Sequence, residues 1–204
     1  MAPRIAIIYY SLWGHIEKLA LAELKGIEKA GGTATIFQVA ETLPGEVLKQ
    51  MYAGPKAKYP VITPEEIVKY DGFLFGIPTR FGNFPAQWKA FWDSTGGVWQ
   101  SGGLWGKYAG LFVSSGSQGG GQESTNLAAM STLAHHGLIY VPLGAKTAVH
   151  LLRELDEVRG GSAWGAGTFS GGKGERQPSE KELELAAIQG ESFWNALAKV
   201  QFEA

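Results

Sequence analysis

The stretch Arg4-Ile-Ala-Ile-Ile-Tyr-Tyr10, followed by Ser11-Leu-Trp-Gly-His-Ile16, decides the fold class of this chain. Its first part is apolar at successive positions, as in a parallel strand that is covered on both faces. From His15 to Ala30 the apolar residues recur at near-helical spacing, and Gly31-Gly32 ends that helix. A buried strand that passes through a short loop directly into a helix indicates an α/β domain.

Four further apolar segments alternate with helical patterns along the rest of the chain. Capping boxes begin a short helix after Thr63 and a final helix at Ser179. Strands and helices in alternation predict a three-layer α/β sandwich on a five-stranded parallel sheet. No linker divides the pattern, so we expect one domain over residues 1–204. The four further predicted strands are Thr33–Val39, Gly72–Ile77, Tyr108–Ser115 and Leu138–Val141.

Two stretches fall outside this pattern. Residues 41–59 are interpreted as irregular because prolines are scattered through and around them, and residues 144–177 are a long glycine-rich stretch. Within the latter, residues 160–174 are either a lid or an assembly contact. Trp88 and Trp92 share one face of a helix that begins near Pro85, so both are predicted to lie in the core.

Composition excludes several classes of protein. The 204 residues carry 18 Lys and Arg against 19 Asp and Glu, a net charge of −1, which argues against a nucleic-acid partner. The absence of cysteine excludes thiol catalysis, disulfides, Cys-based zinc sites and iron–sulfur clusters. No apolar run reaches the roughly 18 residues of a membrane span, and no signal peptide is evident. We therefore expect a cytoplasmic protein without integral membrane contact.

Three loops that follow predicted strands carry the candidate chemistry. They are Ser11–Ile16, Pro78–Asn83 and Ser114–Gly121, and all are rich in hydroxyl groups, glycine or backbone N–H donors. Parallel sheets bind ligands outside the carboxyl ends of their strands, where the strand order reverses. We expect the three loops to meet at one edge of the sheet and to form the binding site.

The first loop is the candidate phosphate site. It opens directly into a helix, whose N-terminal N–H groups favour an anion, and it contains no Lys or Arg. No Walker motif occurs in the chain, which speaks against nucleotide triphosphate hydrolysis. The loop therefore suits a terminal phosphate held by neutral donors, and the alternative is an ordinary helix cap at Ser11.

Several blocks of sequence stand together in the order of one known family and cover nearly the whole chain. They resemble the WrbA family of flavodoxin-like, FMN-dependent NAD(P)H:quinone oxidoreductases, and most of all its fungal 1,4-benzoquinone reductases. The blocks are Tyr9–Ile16, Gly76–Asn83, Thr95–Trp99, Gly119–Glu123, Leu133–Gly137, Val158–Gly161 and Arg176–Ser179.

The resemblance implies FMN as cofactor, a sheet of order 2-1-3-4-5 and a homotetramer. It implies phosphate contacts in the first loop, the isoalloxazine ring along the second, and the ribityl chain and ring edge along the third. His135 would line the pocket over the flavin, and Trp99 would form an aromatic wall near a subunit boundary. The implied cofactor-binding residues of the three loops are Ser11, Leu12, Trp13, Gly14, His15, Ile16, Pro78, Thr79, Arg80, Phe81, Gly82, Asn83, Ser114, Ser115, Gly116, Ser117, Gln118, Gly119 and Gly120.

The same resemblance suggests residues that act on substrates. Trp13, Phe81, Trp99 and His135 would contact nicotinamide or quinone, and Trp13 stands where the family usually has Tyr. Arg80 and His135 are the catalytic candidates. Arg80 would place positive charge near the reduced flavin, and the alternative is a solvated loop arginine. His135 would orient or protonate a quinone oxygen, and the alternative is a structural role.

No metal site is expected, because adjacent residues on a helix, such as His135 and His136, do not face the same way. The preferred hypothesis is an FMN enzyme that reduces benzoquinones to hydroquinones with two electrons from NADPH or NADH. One shared pocket predicts ping-pong kinetics, and a detoxifying role follows from two-electron transfer. The alternatives are a flavodoxin-like electron carrier and a non-catalytic scaffold.

Overall fold

The computed structural model describes residues 1–202 and contains a parallel β-sheet covered by helices on both faces. Every pairing between strands is parallel, and the order is β2-β1-β3-β4-β5. This order confirms the predicted flavodoxin-like sheet. The strands are β1 Ile5–Tyr9, β2 Ala34–Gln38, β3 Gly72–Pro78, β4 Tyr108–Ser115, β5 Ile139–Tyr140 and β6 Gly167–Phe169.

The sixth strand was not predicted, and it lies within the glycine-rich stretch. Strand β4 pairs through its first residues with β5, which is shorter than predicted, and through its last residues with β6. The glycines here permit close backbone packing. A Cβ built on Gly165 would lie 1.9 Å from the carbonyl oxygen of Leu111. Residues 144–177 were described only as glycine-rich, with no strand predicted, and β6 corrects this because the glycines fit the chain against β4.

Four long helices and four short ones complete the described chain. Short α2 corrects the interpretation of residues 41–59 as irregular, and α5 places Trp99 in one helical turn. The capping box at Ser179 and Glu182 is confirmed at the start of α8. The helices are α1 His15–Lys29, α2 Gly45–Gln50, α3 Pro64–Ile67, α4 Ala86–Ser94, α5 Gly96–Gln100, α6 Gln122–His135, α7 Val149–Leu152 and α8 Glu180–Leu197.

The core has one layer on each face of the sheet. On one face, Trp88 and Trp92 are buried and stacked on each other, which confirms their predicted place in the core. The indole N–H of Trp88 donates to the carbonyl oxygen of Gly76, so its one polar atom is satisfied. On the other face α1 packs against α8, whose residues Phe193 and Leu197 are buried.

The contact between α1 and α8 depends on glycine. A Cβ on Gly26 would lie 1.9 Å from the carbonyl oxygen of Ala187, and one on Gly190 would lie 2.1 Å from that of Glu23. These distances are far below any real contact, so the two backbones approach as closely as they do because side chains are absent there. Within residues 1–202, no helix has the length and apolar composition needed to cross a membrane.

Strand β1 lies between β2 and β3, so the chain runs outward from β1 in both directions. The helices that follow β1 and β3 therefore cover opposite faces of the sheet. The loops that lead into these two helices leave a crevice between them at the carboxyl edge of the sheet. The loops after β1, β3 and β4 leave neighbouring strands at the same edge. This topology puts the three predicted loops in one place.

Candidate functional site

A cavity of about 800 Å³ opens at the carboxyl ends of β1, β3 and β4. Its volume lies within the range of ligand pockets, which is about 300–1,000 Å³. All three predicted loops contribute to its wall, together with two segments that the sequence analysis did not assign to the site. The lining residues are Ser11, Leu12, Trp13, His15, Ile16, Met51, Tyr52, Gly54, Pro78, Thr79, Arg80, Ser114, Ser115, Gly116, Ser170, Gly171, Gly172, Lys173 and Gly174.

The first loop presents backbone donors to this cavity. Gly14 adopts a left-handed backbone with φ of 86°, and its N–H donates to the hydroxyl oxygen of Ser11 at 3.0 Å. Helix α1 begins at His15 without a side-chain cap. The N–H groups of its first turn therefore remain available to an anion. Ser11 supports the loop instead of closing the helix, so the alternative of an ordinary cap at Ser11 is not observed.

The side chain of His15 is buried and directed away from solvent. Its Nε2 lies 2.7 Å from the carbonyl oxygen of Arg176, which can only accept, so Nε2 carries the proton. This bond joins the start of α1 to the segment before α8. The ring of His15 therefore has a structural partner in the segment before α8.

The second loop is a two-residue turn between Arg80 and Asn83, which bond each other through both backbone N–H groups at 2.9 and 3.0 Å. Its central residues Phe81 and Gly82 have φ of 55° and 75°. Two left-handed residues define a type I′ turn, which suits glycine and asparagine and strains phenylalanine. The Phe81 side chain is fully exposed, so no packing in this protomer compensates the strain.

Arg80 holds its charge at the cavity. Its Nη1 donates to the carbonyl oxygen of Thr79 at 2.9 Å, and its guanidinium carbon lies 6.0 Å from the centre of the Trp13 ring. The hydroxyl of Thr79 in turn accepts from Gly82 N–H at 3.1 Å and donates to Thr125. The second loop is therefore fixed from both sides, and the charge of Arg80 has a defined position.

The third loop brings two buried hydroxyl groups to the cavity. The backbone oxygen of Ser114 accepts from Thr79 N–H at 2.8 Å, which joins the second and third loops. Ser115 donates its hydroxyl to the carbonyl oxygen of Ser117 at 3.0 Å. A Cβ on Gly116 would lie 3.8 Å from Gly171 O, so the loop borders the glycine-rich segment directly.

One of the two unpredicted wall segments lies along residues 51–56, which are tied to the first loop. Trp13 Nε1 donates to Met51 O at 3.0 Å, and Gly54 N–H donates to Leu12 O at 3.1 Å. Lys56 Nζ donates to Ser11 O at 2.8 Å. Nothing in the local sequence points to these bonds, because they join segments about forty residues apart whose pairing depends on the fold.

Lys56 in this segment is held by a cluster of side chains that contains Glu41 and Tyr10. Lys56 forms an ion pair with Glu41 at 2.9 Å, and its ammonium lies 4.4 Å from the centre of the Tyr10 ring. Partial burial raises the pKa of Glu41, but bonds from Lys56, Leu43 N–H and Tyr10 outweigh it, and the net pKa is lowered. Burial, and then the bond to Glu41, raise the pKa of Tyr10. Glu41 is therefore the anion that holds Lys56 in place.

The second unpredicted wall segment is Ser170–Gly174, the end of the stretch interpreted as a lid or an assembly contact. The structure places it against the cavity, next to the first and third loops. Its glycines were the only signal available in the sequence, and they indicated a loop without indicating where it lies.

Other predicted site residues lie outside this lining in the single protomer. His135 is exposed on α6 and Trp99 is exposed on α5. Gln118 borders a second depression of about 500 Å³ beside the acidic segment 154–157. The structure does not bring these residues to the cavity, and their proposed roles stay predictions. The remaining predicted residues outside the lining are Gly14, Phe81, Gly82, Asn83, Ser117, Gly119 and Gly120.

The two adjacent histidines differ in exposure, as expected for neighbours on a helix, since His135 is exposed and His136 is half-buried. His136 is half-buried against Trp92, with 5.2 Å between ring centres, and its Nε2 donates to Thr95 Oγ1 at 3.1 Å. Burial, and then the neighbouring His135, lower the pKa of His136. Among residues 1–202, no group of three or more His, Asp or Glu side chains lies close enough together to hold a metal ion.

The donor set fits the FMN that the family resemblance implies. A phosphate suits the uncapped start of α1 and the Ser11 hydroxyl, and hydroxyl and backbone groups of the third loop suit a polyol chain. Pro78, Thr79 and Arg80 line the cavity at the end of β3, where a flat ring would lie against them. The cavity also has the volume for a ligand of this size.

Comparison with known proteins agrees with this geometry. A family model described as NADPH-dependent FMN reductase matches residues 3–150. The minor allergen Cla h 7 of Davidiella tassiana is 64% identical over 205 residues, covering 100% of both chains. The NAD(P)H quinone oxidoreductase PST3 of Candida albicans is 57% identical over 199 residues, covering 98% of this chain and 100% of the relative.

A solved structure supports the fold. The flavodoxin, WrbA-like protein of Agrobacterium tumefaciens superposes with a TM-score of 0.65 at 20% identity, covering 96% of this chain and 97% of that one. At this identity the likeness concerns the arrangement of the chain alone. The two proteins thus share a fold.

Proposed function

This chain belongs to the NADPH-dependent FMN reductase family, and we propose that it is an NAD(P)H:quinone oxidoreductase that reduces benzoquinones to hydroquinones. FMN is its cofactor, and NADPH or NADH is its electron donor. The observation that carries the proposal is the convergence of three loops and an uncapped helix on one cavity of about 800 Å³. The quinone substrate is supported by the name of the Candida albicans relative at 57% identity.

The proposed binding residues follow from the donors at the cavity. Bound FMN supplies the two-electron redox chemistry. The start of α1 and the Ser11 hydroxyl bind its phosphate, the second loop from Pro78 to Asn83 follows the ring, and Ser114–Gly120 follow the ribityl chain. Nothing in this scheme needs a nucleophilic side chain. The protein's part is to bind and orient FMN and its substrates and to set the reduction potential of the flavin.

Arg80 is the residue we propose to tune the reaction. Its guanidinium is held by Thr79 O beside the Trp13 ring, at the end of the cavity where the second loop lies. A fixed positive charge there favours additional negative charge on a bound ring. Arg80 therefore stabilises the reduced cofactor relative to the oxidised one, and Arg80→Gln should lower its reduction potential.

We propose that donor and quinone use one cavity in turn. The nicotinamide product must then leave before the quinone enters, which gives ping-pong kinetics. Initial rates at several concentrations of both substrates test this step. Parallel lines in double-reciprocal plots are expected, whereas intersecting lines would show a ternary complex and contradict the shared cavity. A detoxifying role follows if two electrons reach the quinone together.

We propose a homotetramer in which a neighbouring protomer brings Trp99 and His135 near the flavin. The support is a set of exposed apolar side chains, among them Trp99, Trp105 and Ile139, with exposures of 56%, 78% and 46%. Trp105 packs beside Gly137, so it lies on the same side as the end of α6. Light scattering of the purified protein tests the assembly, and a monomer would contradict it.

Two broader expectations are also proposals. Residues 1–204 form one domain, supported by the packing of α8 from the end of the chain on α1 near its start. The activity is placed in the cytoplasm because the nicotinamide donors are maintained inside cells. Cell fractionation followed by a quinone reductase assay tests the second of these.

The first experiment is a visible absorption spectrum of FMN-loaded protein under anaerobic conditions. Addition of NADPH should bleach the flavin band, and 1,4-benzoquinone should restore it. A bound flavin that responds to neither NADPH nor NADH would indicate an electron carrier instead. Failure to bind FMN would contradict both functions.

A further inference from the structure

The wall of the cavity opposite β3 includes a tight turn with one lysine, Gly171-Gly172-Lys173-Gly174. Gly171 and Gly174 both have φ of 76°, and Gly174 N–H donates to Gly171 O at 3.3 Å. Left-handed residues at both ends favour glycine and close the turn on itself. The other three residues of the turn are glycines, so Lys173 provides its one side chain, and this residue lines the cavity.

The turn is anchored on both sides. Arg176 N–H donates to Ser170 O at 2.9 Å, which closes the segment around the turn. The Arg176 guanidinium donates to Phe169 O and Val158 O, each at 2.9 Å, and to the buried carboxylate of Glu182 at 2.8 Å. The position of Lys173 is therefore set by the fold.

The turn also lies beside the candidate phosphate loop. Gly174 is next to the Trp13 and His15 side chains, since a Cβ built on it would lie 3.8 Å from Trp13 Cγ and 4.0 Å from His15 Cε1. The His15 ring bonds Arg176 O at 2.7 Å, two residues beyond Gly174. The chain on either side of Gly174 is thus tied to the first turn of α1.

The candidate phosphate loop has no positively charged side chain. Residues 11–16 contain no Lys or Arg, whereas a phosphate monoester carries about −1.5 to −2 charges at pH 7. Two cationic side chains, those of Arg80 and Lys173, are among the lining residues. Arg80 is bound to Thr79 O in the second loop, and Lys56, nearby, is bound to Ser11 O and Glu41.

The Lys173 ammonium, by contrast, is near Glu175 but, among the residues that the structure describes, is not held by a close contact. In the part of the chain that the structure covers, residues 1–202, it forms no ion pair within 4 Å. The carboxylate of the same turn, Glu175, accepts the backbone N–H of Lys173 at 2.8 Å. Bonds from its own N–H and from that of Lys173, and to a lesser extent the charge of the Lys173 ammonium, lower the pKa of Glu175, so backbone donors are the main stabilisers of this anion.

From this arrangement we propose that Lys173 is a cofactor-binding residue whose ammonium pairs with the phosphate of FMN. This inference rests on the proposed use of FMN and adds a charged contact to the neutral donors of the phosphate loop. It makes affinity for the flavin depend on the phosphate group. The ring and ribityl contacts are shared by riboflavin, which lacks that phosphate, so the two ligands separate the role of Lys173 from all others.

The test is a fluorescence titration of the cofactor-free protein with FMN and with riboflavin. Wild-type protein, Lys173→Gln and Lys173→Arg are compared with Lys199→Gln, which removes an exposed lysine beyond α8. Lys173→Gln should weaken FMN binding by roughly fivefold to tenfold at about 20 mM salt and by less at about 300 mM. Riboflavin binding should not change, and Lys173→Arg should retain FMN binding within about twofold.

Each other outcome overturns the inference. An equal loss for FMN and riboflavin would assign Lys173 to the shape of the turn, and no loss for either would leave it without a role in binding. A similar loss in Lys199→Gln would reduce the effect to net charge. Wild-type protein that binds no FMN would overturn the proposed function as well, so the two failures are distinguishable.

Discussion

Trp13 Nε1 donates a hydrogen bond to the carbonyl oxygen of Met51 at 3.0 Å, across the mouth of the cavity. Met51 begins the wall segment 51–56, which meets the first loop again through Gly54 and Lys56. The family that the chain resembles usually has Tyr at position 13. The tryptophan therefore contributes a donor on a wide, rigid ring, and that donor fixes the neighbouring wall.

Trp13→Phe should loosen residues 51–54. It keeps an aromatic ring but removes one hydrogen bond worth about 1 kcal/mol, so amide exchange in this segment should accelerate roughly fivefold. Hydrogen exchange followed by mass spectrometry on the cofactor-free protein measures it. Trp194→Phe is the control, because the Trp194 ring packs beside Gly32, which lies at the far end of α1 from this wall. Unchanged exchange in Trp13→Phe would mean that the other two bonds suffice.

Phe81→Asn should stabilise the protein and weaken its reaction with quinone. The change converts the type I′ turn at residues 80–83 to Asn-Gly, the sequence that such turns favour, and should add about 0.5–1 kcal/mol to the free energy of unfolding. Urea unfolding measures the gain. The KM for 1,4-benzoquinone should rise because an exposed aromatic surface is lost. A less stable variant would show that Phe81 is packed in the assembled protein.

Glu23 should make stability fall as pH rises. The carboxyl is fully buried on α1, neither oxygen has a partner among the described residues, and burial raises its pKa well above the usual 4.5. Below pH 4.5 both the folded and unfolded states hold the proton. Above pH 4.5 the unfolded state loses the proton first. The free energy of unfolding therefore falls by up to about 1.4 kcal/mol per pH unit until the pH passes the pKa of Glu23 in the folded state.

Glu23→Gln removes this pH dependence. Its stability relative to wild type, measured by urea unfolding at pH 4 to 8, should increase with pH. Glu28→Gln provides the control, since Glu28 is exposed on the same helix. If the curves for wild type and Glu23→Gln stay parallel, Glu23 is ionised in the fold and has a partner that the fold of one protomer does not provide.

Gly190→Ala should destabilise the protein although alanine is the better helix former. The added Cβ would lie 2.1 Å from Glu23 O, so α8 has to move away from α1. Overpacking of this kind costs about 1–3 kcal/mol. Gly45→Ala, in open space at the start of α2, is the matched control and should be neutral or slightly stabilising. Thermal unfolding of both variants measures the difference, and equal midpoints would refute the close contact.

The sequence predicts the sheet because its strands have apolar residues on both faces and its helices have one apolar face. Ile5–Tyr9 and Gly72–Pro78 are of this kind, and both were found with small shifts at their ends. Strand β6 was not predicted because Gly165 and Gly167 allow two backbones to approach closely, and glycines leave no side-chain pattern that would mark a strand. A glycine needed for contact cannot be distinguished by sequence pattern from one needed for a turn.

The candidate site was likewise predictable only in part. The three loops were predictable because each follows a strand directly, and topology then brings strand ends together. The walls at Met51–Gly54 and Ser170–Gly174 were not, because each is held by bonds to residues remote in sequence. Trp13 to Met51 and His15 to Arg176 are such bonds, and their geometry exists only in the folded chain.

Strand β6 has a consequence for how the protein is made. It leaves the edge of β4 at Phe169 and leads at once into the cavity wall at Ser170–Gly174. During translation the first loop emerges from the ribosome early, and the wall at Ser170–Gly174 emerges more than 150 residues later. The cavity is complete only when residues 170–174, which lie in the last fifth of the chain, have been synthesised, so we expect capture of the cofactor to be a late event in biogenesis.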